Sequence, residues 1–158
     1  MMKRNTKNFV RLVICCLFMI ILSGCDFPEK SDPFTYSFRQ SQENIVKVEI
    51  CEYKGRPEGL NPLVKLTDLE SDSILAEIQA VECYKIFLGD GEPRDYGGIA
   101  VAITYLDGEI EIIGLRNVGY ITANGRGMME RYQFQMEGIR AVIGKYVDLD
   151  AYFAQKEA

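Results

Sequence analysis

Two kinds of hydrophobic pattern divide the chain. Residues 12–22 form an uninterrupted run of eleven apolar residues, and the basic residues Lys3, Arg4, Lys7 and Arg11 precede it. From residue 45 onward, apolar residues instead recur with the period of two that is typical of half-buried strands, or with helical spacing. The pattern therefore predicts a short N-terminal hydrophobic segment followed by a folded body.

Within the body, the pattern predicts seven strands and two helices. The capping-box spacing of Thr67 and Glu70 places the start of a helix that runs over 68–81. A second amphipathic helix covers 139–146, where Gly138 and Gly144 weaken it by up to about 1 kcal/mol each relative to Ala. The predicted strands cover 45–53, 62–66, 83–88, 99–106, 109–115, 119–123 and 129–135.

The clearest local signal is Asp107-Gly108, which stands between two of these strands and predicts a β-hairpin with a type I′ turn. In the first arm, bulky residues at 99, 101, 103 and 105 share one face, and the small residues Ala100 and Ala102 share the other. We expect the small face to lie under a helix. The fold class is therefore α+β, an antiparallel sheet meander with two helices packed on one face.

The apolar run ends in Leu22-Ser23-Gly24-Cys25, which resembles the lipobox of bacterial lipoprotein signal peptides. Eleven residues are too few for a membrane-spanning helix, which needs about 20, but they suit the core of a signal peptide. The resemblance implies that a peptidase recognises Leu22, Ser23 and Gly24 and cuts before Cys25, whose sulfur carries a diacylglyceryl group. The alternative is an uncleaved single-span anchor with an incidental cysteine. Both place the body outside the cytoplasm.

On the lipoprotein hypothesis, the chain consists of a signal peptide (1–24), a lipidated cysteine with a tether (25–44), a single α+β domain (45–150) and a C-terminal tail (151–158). A fully extended tether would reach roughly 60 Å. Within it, residues 34–38 alternate between aromatic and polar side chains. This stretch is either a first strand or docked arm, or else an aromatic stripe that binds a partner.

The composition of the body excludes several kinds of partner and reaction. Removal of residues 1–24 takes four of the 18 basic residues and none of the 23 acidic ones, which lowers the net charge from −5 to −9. Such an acidic body predicts no nucleic-acid partner, because phosphate binding needs clustered Lys and Arg. The chain has no histidine, which excludes His-based catalysis and His-ligated zinc. We expect no cofactor and no metal site.

Several residues nevertheless invite a chemical interpretation. Cys51 and Cys83 fall at outward positions by strand parity, where they either form one disulfide or remain two separate reduced thiols. Glu109 and Glu111 share a strand face and resemble an acid–base pair, but the solvated face of a hairpin explains them as well. The acidic segments 68–72 and 90–95 lack EF-hand spacing, and Asn124-Gly-Arg-Gly127 is a plain turn rather than an anion site.

These observations predict a lipid-anchored protein on the outer face of the cytoplasmic membrane that is not an enzyme. The membrane, through Cys25, is its first partner, and an envelope protein or peptide is the second. We expect a non-catalytic binding module. The alternatives are a small enzyme or metal-assisted activity that uses Asp and Glu alone, or an inhibitor or protective lipoprotein acting on a secreted partner.

Overall fold

The structure, a computed structural model, describes residues 29–54, 59–87, 98–115, 118–129 and 132–157. The signal segment, Cys25 and the acidic segment 90–95 lie outside the described residues. The strands are β1 (Glu29–Lys30), β2 (Phe34–Thr35), β3 (Ile45–Tyr53), β4 (Leu60–Lys65), β5 (Glu82–Phe87), β6 (Gly98–Tyr105), β7 (Ile110–Gly114), β8 (Val118–Ile121), β9 (Gly127–Met129) and β10 (Tyr132–Phe134). The helices are α1 (Asp68–Ala80), α2 (Met136–Ile143) and α3 (Leu149–Glu157), and a 3₁₀ turn (Gln42–Asn44) precedes β3.

The α+β class is confirmed, but the described strands form two antiparallel sheets instead of one. The larger sheet has the order β4-β3-β6-β7-β8-β9. In the smaller sheet, β1, β2 and β10 all pair with β5. β5 cannot pair with β6 in the larger sheet, because β3 and β7 already pair with the two edges of β6.

The first helix forms where the sequence predicts it. The Glu70 backbone N–H donates to Thr67 Oγ1 over 3.3 Å, and the Thr67 backbone N–H donates to Glu70 Oε2 over 2.8 Å, so the capping box is complete. Ile74, Leu75 and Ile78 are the buried face of the helix. Two orphan N–H groups of the helix start thus find partners while the apolar stripe enters the core.

The main core lies between the helices and the bulky face of β6. It joins Ile99, Val101, Ile103 and Tyr105 to buried residues of both α1 and α2. The prediction that a helix covers the small face was wrong, because the isoleucine face offers more apolar surface to bury. Ala100 and Ala102 belong to a second buried cluster, whose described members are all strand residues of the larger sheet.

The hairpin between β6 and β7 is present, but its turn differs from the prediction. Gly108 has a φ of +84°, its N–H donates to the Tyr105 carbonyl over 3.0 Å, and the Tyr105 N–H donates to the Glu109 carbonyl over 2.9 Å. No described residue other than glycine has a positive φ, so Asp107 does not adopt the type I′ conformation. The connection is a three-residue loop whose last residue, Gly108, forms a G1 bulge.

Both ends of the domain extend beyond the predicted limits. The stretch predicted as a tether is docked from residue 29 onward: Glu29 is in register with Phe87, Phe34 is in register with Cys83, and Tyr36 is buried in the main core. The segment predicted as a C-terminal tail forms most of α3. None of the described helices has the length and apolar character needed to span a membrane.

The larger sheet has one edge at β4. This strand pairs only with β3 among the described strands, and the register shifts between Ile50 and Cys51, which stand opposite Val64 and Pro62. Most of its side chains are exposed.

Candidate functional site

The most unusual described group is the carboxylate of Glu111, which is only 1% exposed. It lies on β7, between Ile103 of β6 and Tyr120 of β8. The Tyr36 hydroxyl donates to Oε1, the Tyr105 hydroxyl donates to Oε2, and the Arg39 backbone N–H donates to Oε2 over 3.1 Å. Three donors from the same chain therefore surround one buried negative charge.

Two further contacts fasten the same stretch of chain to the hairpin. Arg39 Nε donates to Glu109 Oε2 over 2.9 Å, and its guanidinium lies 3.5 Å from the centre of the Tyr120 ring. Gln40 Nε2 donates to Asp107 Oδ2 over 2.7 Å. We call residues 29–44 the N-terminal arm. We call these contacts the arm latch: Tyr36, Arg39 and Gln40 of the arm with Asp107, Glu109 and Glu111 of the hairpin.

The interpretation of Glu109 and Glu111 as a solvated hairpin face was wrong for Glu111. Its position has the same parity as Ile113, whose side chain is in the main core, so Glu111 points toward the core as well. The sequence signal was this shared parity. What it did not reveal was that Tyr36 and Tyr105 supply hydroxyl donors at that place.

The electrostatics of the cluster favour hydrogen bonding over proton transfer. Burial raises the pKa of Tyr105 far above its ordinary value, and the hydrogen bond to Glu111 raises it further. Tyr105 therefore keeps its proton at neutral pH and acts as a donor to the carboxylate.

The two cysteines are buried, so the prediction of outward positions was wrong. Cys51 belongs to the strand-only cluster and Cys83 to the main core, and both are free. Burial raises the pKa of Cys51 to about 12, with a further rise from the nearby Glu49 charge. Burial also raises the pKa of Cys83 to about 11. Neither thiol is a nucleophile at neutral pH.

A second buried carboxylate lies beside Cys51. Glu49 Oε2 is 2.7 Å from Lys47 Nζ, while Oε1 is buried without a hydrogen-bond partner within the described residues. Across the part of the chain that the structure describes, no three or more Cys, Asp or Glu residues are arranged to hold a metal ion. The acidic segment 68–72 forms the first turns of α1.

An open cleft of about 650 Å³ lies where α2 meets α3. Both basic residues of its lining are paired: Arg140 Nη2 is 2.9 Å from Asp150 Oδ1, which also lines the cleft, and Lys145 Nζ is 2.6 Å from Glu77 Oε1 of α1. Glu137 and Tyr146 also line it.

The remaining predicted candidate is a turn. Gly125 has a φ of +75°, its N–H donates to the Thr122 carbonyl over 2.8 Å, and the loop joins β8 to β9. The lipobox residues Leu22, Ser23, Gly24 and Cys25 lie outside the described residues.

Comparison with known protein families, with curated proteins and with solved structures found no match to this chain.

Proposed function

We propose that the protein is a lipid-anchored module on the outer face of the cytoplasmic membrane, and that it works by binding rather than by catalysis. One observation favours binding over catalysis: the Glu111 carboxylate, the most buried of the described acids, is held by three donors of its own chain. Cys51 and Cys83, the described thiols, are buried with raised pKa values. These groups support the fold.

The anchor rests on the resemblance of Leu22-Ser23-Gly24-Cys25 to a lipobox. Two acyl chains on Cys25 give stable membrane attachment, because each buried CH₂ contributes about 0.8 kcal/mol. We expect wild-type protein to incorporate radioactive fatty acid and to lose its signal segment. A Cys25→Ala variant should remain an unlabelled precursor. Retained label in that variant would exclude Cys25 as the lipidated residue.

The cleft between α2 and α3 is the proposed binding site. Arg140 and Lys145 already have acidic partners in the chain, whereas Glu137 and Asp148 add acidic groups to the lining, which suits an envelope peptide or protein loop that carries basic residues.

A pull-down from membranes tests this site, with the native lipoprotein as bait and an unrelated domain carrying the same lipid anchor as the control. Glu137→Lys should weaken capture of an enriched protein at least tenfold, since it reverses a charge on the rim. Asp72→Lys makes the same charge change on exposed α1 and should leave capture unchanged. Equal loss in both variants would reject the cleft, and no enrichment over the control would reject the binding module.

A further inference from the structure

The N-terminal arm is attached to the domain along its whole described length. At its start, the Ser31 backbone N–H donates to the Lys85 carbonyl over 3.0 Å, and the Lys85 N–H donates to Ser31 Oγ over 2.8 Å. β1 and β2 add strand pairing to β5, and Tyr36 enters the core. The arm latch then holds Arg39 and Gln40 on the hairpin.

This attachment begins close to Cys25 in the sequence. Only residues 26–28 separate Cys25 from Glu29, the first residue of β1. Four Cα–Cα steps of extended chain span at most about 14 Å. If the arm were free up to Ile45, the twenty steps from Cys25 would have a root-mean-square length of roughly 22–27 Å in total.

We propose that the docked arm holds the domain directly against the bilayer on a leash of at most three residues, 26–28. This inference rests on the proposed lipidation of Cys25. The end of the smaller sheet where β1 begins and β5 ends faces the lipid, because Glu29 is in register with Phe87.

The leash also limits the reach of the domain. A compact domain of this length has a radius of gyration of about 14 Å, which corresponds to a diameter of roughly 36 Å. Together with the leash, its far side reaches about 50 Å from the bilayer surface.

Energy transfer to the bilayer measures the height of the domain. The full lipidated protein is placed in vesicles that contain an acceptor-labelled lipid, and a donor dye is attached through Asp72→Cys at an exposed site of α1. Cys51 and Cys83 are buried and escape labelling under native conditions. The matched variant carries sixteen Gly and Ser residues inserted between residues 28 and 29, outside the folded part that the structure describes.

We expect strong transfer in the wild-type protein and an increase in mean height of roughly 10 Å in the insertion variant, because the chain between lipid and domain lengthens from four to twenty steps. Ser31→Pro removes the N–H and hydroxyl that hold β1 on Lys85, and it should raise the domain by an intermediate amount. Asp32→Ala, an exposed neighbour, should not change the height.

The outcomes distinguish failure of the short leash from failure of the proposed lipidation of Cys25. Fatty-acid labelling of the wild type is measured first, and its absence would reject the proposed lipidation itself. If the protein is lipidated but the insertion leaves energy transfer unchanged, the short leash is rejected while the anchor stands. Unchanged transfer in Ser31→Pro would show that β1 pairing does not set the height.

Discussion

Glu111 shows how a single buried charge can join two distant parts of a chain. Removing a carboxylate from water costs several kcal/mol, and the hydroxyls of Tyr36 and Tyr105 with the Arg39 N–H offset that cost. Tyr36 is 75 residues away in sequence. The arm therefore docks where it can satisfy this carboxylate.

Glu111→Gln is expected to lower the free energy of unfolding by roughly 3 kcal/mol, because the amide brings a donor where three donors already converge. Glu109→Gln is the matched control: Glu109 is more exposed and pairs with Arg39, and loss of its charge should cost less than about 1 kcal/mol. Urea unfolding followed by circular dichroism measures both. Equal losses would contradict the role assigned to Glu111.

The buried thiols and Tyr105 predict a loss of stability at high pH. The pKa of Cys51 rises from its ordinary 9.0 to about 12 and that of Cys83 to about 11, and burial also raises the pKa of Tyr105. Above pH 9 the unfolded chain releases protons that the folded chain retains, so stability present below pH 9 is lost progressively as the pH rises toward 12.

The urea midpoint should therefore fall between pH 8 and pH 10.5 in the wild-type protein. A Cys51→Ala, Cys83→Ala double variant should show a shallower fall over the same range, whatever its stability at pH 8. An identical slope in the two proteins would assign the effect to other groups.

At the scale of elements, α2 contains a glycine whose role depends on its neighbour. An ideal Cβ on Gly138 would lie 2.6 Å from Cγ1 of Val81, which follows α1. Although Ala normally favours a helix over Gly by about 1 kcal/mol, Gly138→Ala is expected to destabilise the protein by about 1–3 kcal/mol through overpacking.

A double-variant cycle checks this steric origin. Val81→Ala removes the crowding methyl groups, so Gly138→Ala should cost much less when Val81 is already Ala. The measurement is the thermal unfolding midpoint of the four proteins. A cost that stays the same in both backgrounds would show that Gly138 is required for another reason.

Elements that are determined by local signals could be predicted closely from the sequence. The contacts between elements could be predicted less well. Strand β3 and helix α1 follow from alternation and a capping box, since neighbouring residues determine both. The division into two sheets depends on which strand edges are already occupied. The burial of Glu111 depends on Tyr36, which no local pattern connects to it.

At the scale of the whole molecule, the arm extends the described fold from residue 45 back to residue 29. A chain that begins at Glu29 should fold with the arm in place. A chain that begins at Ile45 loses Tyr36 from the core and leaves Glu111 without two of its donors, so it should lose roughly 5 kcal/mol or more. Urea unfolding of the two chains tests this boundary, and equal midpoints would contradict it.

The exposed edge strand β4 affects how copies of the protein behave when they are close together. If the proposed lipid anchor gathers copies on one surface, they meet at high local concentration, and open strand edges then favour pairing between copies. Pro62 has no N–H to donate, and the bulge beside it interrupts the regular ladder of β3 and β4. This edge is therefore a poor template for another strand, which protects densely gathered copies from aggregation through their sheets.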